Sequence, residues 1–349
     1  MRQQAFVHIG THKTGTTTLQ AWFDGNREVL RDRGLSYPRA YSVQGAHHLL
    51  AGVVTDAKIG VRQIYPQFDF AQSAPSIHQR ILADVAPGTD LVLSSETFCL
   101  YRTPRDVQAL HAVLESFERN VVVYLRPLLG QLESGHGQFV KTYRHQESSS
   151  LEQLFTEKVL RRKPALGDRL GMVDRWGGTF GPKRLLARPF LRDALVGKTI
   201  TQDFLETIGH GELDAGATEF AGRAPEQTNV SPSPFWIEVI RRLSAENAFR
   251  EVSRQRWRDI LTDVVTVPDA PQPDVKFYTR RFAQHVMATA GRHEAAIAER
   301  FFPEVAGHFT QIPEATFLDD LSSSDRSDLE ATVCEYVEWA RERYRLASA

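Results

Sequence analysis

The chain has 349 residues, with 42 Lys+Arg against 43 Asp+Glu and a formal net charge of −1. A hydrophobic share of 42% beside 24% charged residues is globular composition and excludes wholesale disorder. The balanced charge leaves no basic footprint for general nucleic-acid binding, and two cysteines, Cys99 and Cys334, are too few for a disulfide framework or a four-cysteine zinc site. No apolar run approaches the ~18 residues of a membrane span, and the run over 5–9 is too short for a signal-peptide core. The expectation is a reduced, soluble, cytoplasmic protein.

Residues 5–9 read as a short buried strand closed by Gly10. After a loop, a helix is expected over about 16–33, with Leu19, Trp22, Phe23 and Leu30 at helical spacing and Gly34 at its C-cap. Residues 47–54 and 77–85 look helical. Asp90-Leu91-Val92-Leu93-Ser94 reads as a second strand after the Pro87-Gly88 turn signal, and Pro104 opens a helix at a position that tolerates proline. Residues 120–125 form the strongest strand pattern, β-branched and continuously apolar as in a buried parallel strand. Helices are expected over about 128–143, 151–160 and 172–176, and a strand over 183–187. Strands separated by helices predict an α/β fold, a central parallel sheet flanked by helices. The stretch 211–234, rich in Gly, Ala, Thr, Ser and Pro, reads as a long surface loop, and helical segments follow over 235–264, 276–301 and 325–346. The chain reads as a single domain over 1–349, with an α/β core over about 1–210 and a loop and helical extension over about 211–349.

The informative segment is Val7-His8-Ile9-Gly10-Thr11-His12-Lys13-Thr14-Gly15-Thr16-Thr17-Thr18-Leu19-Gln20. A Gly-bounded loop between a strand and a helix N-terminus points backbone N–H groups at one spot, where the helix dipole also favours an anion. A threonine N-cap accounts for one hydroxyl but not for the lysine. Against the Walker A pattern, Gly10 and Gly15 have the right separation and Thr17 fits the last position, but Thr16 occupies the lysine slot and Lys13 lies inside the loop. A nucleotide kinase or other P-loop phosphotransferase is therefore disfavoured. It stands as the alternative, together with a nucleotide-binding protein without turnover.

Lys13-Thr14-Gly15-Thr16-Thr17 resembles the Lys-[Ser/Thr]-Gly-Thr-[Thr/Ser] loop of the sulfotransferases that use 3′-phosphoadenosine 5′-phosphosulfate (PAPS). A second segment is similar to that family's 3′-phosphate site, an arginine at a strand end and a serine eight positions later on the next helix. Here Val121-Val122-Val123-Tyr124-Leu125 runs into Arg126 and Pro127, and Ser134 lies eight positions after Arg126. Arginine supplies planar, permanently charged donors suited to phosphate. The resemblance covers about 5–20, 90–100 and 120–141, with a weaker echo over 185–209 that includes Asp203-Phe204-Leu205. It implies a P-loop-like phosphosulfate-binding loop, PAPS as donor with adenosine 3′,5′-bisphosphate as product, no metal, and a nucleotide site of His12, Lys13, Thr14, Gly15, Thr16, Thr17, Thr18, Arg126 and Ser134. The glycine-rich Arg-Lys-Gly segment of cytosolic members is missing, and Arg223 in the 211–234 loop is the candidate in its place.

Sulfuryl transfer needs an aligned acceptor, a cation near the bridging oxygen and a base for the nucleophile. Lys13 is the expected cation. Ligands of parallel α/β sheets bind at the carboxyl ends of strands, which directs Glu96 of Ser95-Glu96-Thr97-Phe98 toward the pocket mouth. A comparable Glu in glycan-modifying sulfotransferases implies Glu96 as catalytic base, a bacterial carbohydrate-type member, and a carbohydrate or glycolipid hydroxyl as acceptor. Cytosolic members use a histidine instead, so His47, His48 and His136 are rivals, and Glu96 could equally cap the following turn. Burial beside an anionic donor is expected to disfavour the charged form of Glu96. His47, His48 and Phe98 are the candidate acceptor contacts. Tyr37, Tyr41 and Tyr101 read either as sugar-stacking or as core, and Arg161-Arg162-Lys163 either as a solvated run or as an attraction for an anionic acceptor. The expected partner is a small-molecule or glycan acceptor, with no nucleic acid and no integral membrane segment.

Overall fold

Five strands form one parallel sheet, its centre buried and its β5 edge half-buried: β1 (Gln4–His8), β2 (Leu35–Ser36), β3 (Asp90–Ser94), β4 (Glu118–Leu125) and β5 (Leu185–Pro189). The computed structural model describes residues 2–55, 60–143, 146–156, 168–220, 232–268 and 270–347, so Arg161-Arg162-Lys163 and Arg223 lie outside the described residues. The strand order is β2-β3-β1-β4-β5. The chain thus builds to one side of β1 and then to the other, and β1 sits where the winding reverses, the usual place for a ligand crevice in such sheets.

Among the described residues the helices are α1 (Thr16–Gly25), α2 (Arg27–Asp32), α3 (His48–Val54), α4 (Val61–Ile64), α5 (Ala74–Leu82), α6 (Pro104–Val113), α7 (Leu128–Lys141), α8 (Leu151–Leu154), α9 (Arg169–Phe180) and α10 (Ile200–Thr207). They are followed by α11 (Pro234–Ala245), α12 (Arg254–Val264), α13 (Arg280–Phe301), α14 (Gly307–Thr310) and α15 (Ser323–Tyr344). Phe6, Val92, Val122 and Tyr124 of the sheet bury one face against Leu19, Trp22 and Phe23 of α1 and Phe204 and Leu205 of α10. Residues of the opposite register, Ala5, Val7, Val121 and Val123, are equally buried, as strands covered on both faces require.

The expected strand over 120–125 is present and begins two residues earlier, and Asp90–Ser94 is a strand as read. Pro104 is the first residue of α6, behind a capping box of Thr103 and Asp106. The helix expected over 16–33 is two helices, because the Asn26 side chain takes the Trp22 carbonyl at 2.8 Å while its own N–H turns to Phe23 O. Gly34 follows them at φ +85°, a left-handed position that suits glycine. The fifth strand starts at Leu185 instead of 183, since Pro182–Arg184 form a 3₁₀ turn after Gly181. Helix α10, capped by Thr199, adds an element that apolar periodicity does not announce. The expected helix over 151–160 is described only as far as 156. In the 211–234 segment, Leu213 and Phe220 are buried in the sheet's core, so its described part is not simply a surface loop.

Contacts divide the chain into two units, one of Met1–Arg126, Asp168–Glu226 and Ala296–Ala306, the other of Pro127–Gly167, Gln227–Ala295 and Gly307–Ala349. The α/β core, expected to end near 210, is interrupted: the chain leaves the sheet unit at Pro127 and returns to it at Asp168. The cause is the packing of α7: Leu128, Leu129 and Leu132 join Leu151, Phe155, Phe282 and Val286. A second core of that unit gathers α11, α12 and α15 around Phe235, Trp236, Trp257 and Val337.

Candidate functional site

The loop after β1 is laid along β4. Ile9 N–H donates to Val122 O at 3.0 Å, Tyr124 N–H to Gly10 O at 3.3 Å and Thr11 N–H to Tyr124 O at 3.4 Å. Left-handed backbone at Gly10, Lys13 and Gly15 (φ +81°, +67° and +74°) then folds the loop into α1. Such alternation turns successive N–H groups to one side, as in anion-binding nests. Gly15 is the N-cap of α1, no side chain caps the helix, and no acidic residue sits in its first turn. The threonines therefore do not cap it. The Thr14 hydroxyl is buried and donates to Thr11 O at 2.6 Å, so it serves the loop's own shape and not a ligand. Thr16 is buried, whereas His12, Thr17 and Thr18 are exposed at the helix entrance.

Lys13 is half-buried. Burial, and after it the charge of Arg126, hold its ammonium below the ordinary lysine value. Arg126 follows the last residue of β4, and its backbone carbonyl accepts from Arg169 Nη2 at 2.8 Å. Two cations from adjacent strand ends thus share one electrostatic environment. Ser134 lies in the middle of α7, half-buried, in the second unit. His136 on the same helix is buried with Nε2 at 2.9 Å from Ser149 O, and burial lowers its pKa, which makes it a framework histidine.

Glu96 follows β3 at the first position of a 3₁₀ turn. Ser95, not Glu96, caps that turn, accepting from Thr97 N–H at 3.1 Å. The Gln20 amide of α1 donates to Glu96 Oε2 at 3.0 Å and to Ser94 Oγ at 3.2 Å, and Ser94 Oγ hydrogen-bonds His8 Nδ1 at 2.8 Å. His48 Nδ1 bonds the hydroxyls of Ser95 at 2.8 Å and Thr97 at 3.0 Å, and its Nε2 stands 4.0 Å from Glu96 Oε1. Burial pushes the Glu96 carboxyl up, but His48, the Gln20 amide, a backbone N–H and His12 together hold it below the ordinary carboxylate value. This reverses the expectation from burial alone: the surroundings are polar donors and imidazoles, so the charged form is favoured.

Three expected acceptor contacts divide. His48 faces Glu96. His47, one residue earlier, is fully buried, with Nε2 donating to Pro38 O at 3.0 Å, Nδ1 accepting from Ser94 N–H at 3.1 Å and a pKa pulled down to about 4 by burial. Both of its nitrogens serve the backbone, so it has none to offer an acceptor. Phe98 is fully buried edge-to-face with Tyr101, and Tyr37, Tyr41 and Tyr101 are buried as well, so these rings are core and not a sugar platform. Gln20, Ser94 and His8 are missing from the sequence reading. Their one signal is a polar residue inside an apolar strand or on an apolar helix stripe.

Among the described residues no group of three or more His, Cys, Asp or Glu is arranged to hold a metal ion, and no helix is long and apolar enough to cross a membrane. Fold and site together define an α/β protein with a nest-like loop and helix N-terminus at the reversal point of its parallel sheet. A crystal structure of a sulfotransferase from Alicyclobacillus acidocaldarius is similar to this chain with a TM-score of 0.43 and 15% identity, covering 74% of this chain and 99% of that one. No family model matches the chain, and no curated protein matches it.

Proposed function

We propose that the protein is a sulfotransferase that moves a sulfuryl group from PAPS to a hydroxyl of a carbohydrate or glycolipid acceptor. One observation carries this reading: Lys13, Glu96 and Arg126 follow β1, β3 and β4, three neighbouring strands of the sheet. Burial and the Arg126 charge disfavour the charged form of Lys13, and a multiply charged anion beside it relieves that cost. The motif likeness in Lys13-Thr14-Gly15-Thr16-Thr17 and Arg126 supports the phosphosulfate nucleotide as that anion.

In the reaction, the acceptor oxygen forms a bond to sulfur while the bond from sulfur to the bridging oxygen breaks. The electron pair goes to the 5′-phosphate of adenosine 3′,5′-bisphosphate, and the hydroxyl proton goes to Glu96. Lys13 neutralises charge growing on the leaving oxygen, and the N–H groups of the loop and of the α1 terminus bind the non-bridging oxygens. Arg126 binds the 3′-phosphate. Glu96, ionised over a wide pH range, accepts the proton as the acceptor attacks. The carbohydrate class rests on the likeness of Ser95-Glu96-Thr97-Phe98 to glycan-modifying members.

Two measurements test the reading. Thermal shift with adenosine 3′,5′-bisphosphate against Mg·ATP separates a PAPS enzyme from a P-loop kinase, because stabilisation follows ligand concentration over Kd. Transfer of labelled sulfate from PAPS to a glycan panel then decides turnover and acceptor. Stabilisation by Mg·ATP alone overturns the reading.

A further inference from the structure

Helix α1 carries, one turn inside its N-terminus, a glutamine where its apolar stripe has Leu19 and Phe23 for neighbours. Gln20 is only 5% exposed, and its amide donates both to Glu96 Oε2 and to Ser94 Oγ, which His8 Nδ1 contacts in turn. A buried primary amide has two N–H donors to satisfy. Here both go to groups at the end of β3, one on each side of Ser95. Ser94 is fully buried and fixed by the sheet, so the amide cannot swing away from it without losing a buried hydrogen bond. The same helix begins with the loop that carries Lys13, so one rigid element holds the anion loop at its start and the carboxylate from its second turn.

We propose that Gln20 is the positioning residue of Glu96: anchored on Ser94, it fixes one carboxylate oxygen and leaves Oε1, on the His48 side, to take the acceptor's proton. This rests on the assignment of Glu96 as base. A carboxylate that accepts a fixed N–H is oriented as well as stabilised in its charged form, so removing the donor both loosens it and raises its pKa. The other titratable groups facing Glu96 are His48 of α3, His12 of the loop, His8 of β1, Cys99 of the 3₁₀ turn and Tyr37 after β2. Those remain in a Gln20 variant, so the change reports the amide alone.

The test uses Gln20→Met, which keeps length and removes both donors. Glutamate ¹³C-carboxyl titration by NMR, with the Glu96 resonance identified by its loss in Glu96→Gln, is read beside the pH profile of kcat. The expected result is a Glu96 midpoint higher by about one to two pH units, the usual worth of one hydrogen bond to a charged group. The acid limb of kcat moves by the same amount, with KM for PAPS unchanged. An unmoved Glu96 midpoint overturns the proposal. Should Gln20→Met fail to fold, Ser94→Ala frees the amide's anchor and is expected to shift the midpoint in the same direction by less, and no shift there also overturns it. If the wild type transfers no sulfate from PAPS, the functional reading falls, while the NMR titration still decides whether Gln20 controls Glu96.

Discussion

A methyl group placed on Gly10 would stand 2.9 Å from both Cα and Cβ of Glu96, so the loop after β1 lies directly against the backbone that carries the carboxylate. Gly10 also has φ +81°, which costs a residue with a Cβ about 1–2 kcal/mol. Gly34 has nearly the same strain, φ +85°, yet a methyl group there would meet nothing within 4 Å. Gly10→Ala is therefore expected to lose clearly more stability in urea unfolding than Gly34→Ala. Equal losses would mean that the loop and the Glu96 segment are not in contact.

Lys13→Ala and Arg126→Ala are expected to fail differently. On the proposed function, loss of the Arg126 guanidinium is expected to remove a charge-assisted contact worth roughly 1.5–3 kcal/mol from ground-state binding of adenosine 3′,5′-bisphosphate. Loss of Lys13 is expected also to remove stabilisation of charge that grows during transfer, so that kcat falls beyond the binding defect. Calorimetric titration with the bisphosphate and single-turnover rates separate the two. Undiminished binding by Arg126→Ala removes Arg126 from the site.

The lowered Lys13 pKa has its own consequence. In the free protein the ammonium deprotonates earlier than an ordinary lysine as pH rises, and bound anion favours its charged form. Affinity for adenosine 3′,5′-bisphosphate is expected to decline on the alkaline side below the ordinary lysine range, and Lys13→Arg to flatten that decline, since arginine stays charged. An identical alkaline profile in Lys13→Arg would show that Lys13 does not meet the ligand.

Glu96→Gln keeps the shape of the side chain and removes the proposed base. With donor saturating, transfer is expected to fall by ~10²-fold or more while bisphosphate binding survives. His48→Ala is expected to cost less, because the ring faces the carboxylate and is held through Ser95 and Thr97. Near-normal turnover in Glu96→Gln with a dead His48→Ala would transfer the base role to His48.

His8 and His47 predict acid sensitivity of the fold. Burial lowers both from 6.5 to about 4, partly offset at His8 by Glu96 and at His47 by its bonds to Pro38 and Ser94. Between those values the unfolded chain binds protons that the native one excludes, so stability present at pH 7 is lost as pH falls from about 6.5 toward about 4. The loss is at most about 3 kcal/mol per histidine. Urea midpoints across this window are expected to fall, and to fall less in His47→Asn. A flat wild-type profile would mean that neither ring is held neutral by burial.

The amino-acid sequence by itself determined the strands β1, β3 and β4 and the loop chemistry. Short apolar runs bounded by turn signals read as strands buried on both faces when helical patterns separate them, and Gly10, Lys13 and Gly15 lie within one short segment whose backbone and charge are local properties. Only the tertiary structure decided that β3, β1 and β4 are neighbours, which brings Glu96 and Arg126 to either side of the Lys13 loop. It also decided that Gln20 meets Glu96 across 76 positions of sequence. The adjacent His47 and His48 show why such choices are hidden in the chain. At the start of α3 one ring turns inward to bond Pro38 and Ser94, and the next turns to Ser95, Thr97 and Glu96. The direction of the Glu96 shift belongs with them, because burial alone would raise its pKa. Donors from α1, α3 and the loop lower it, and they converge only when the helices pack on the sheet.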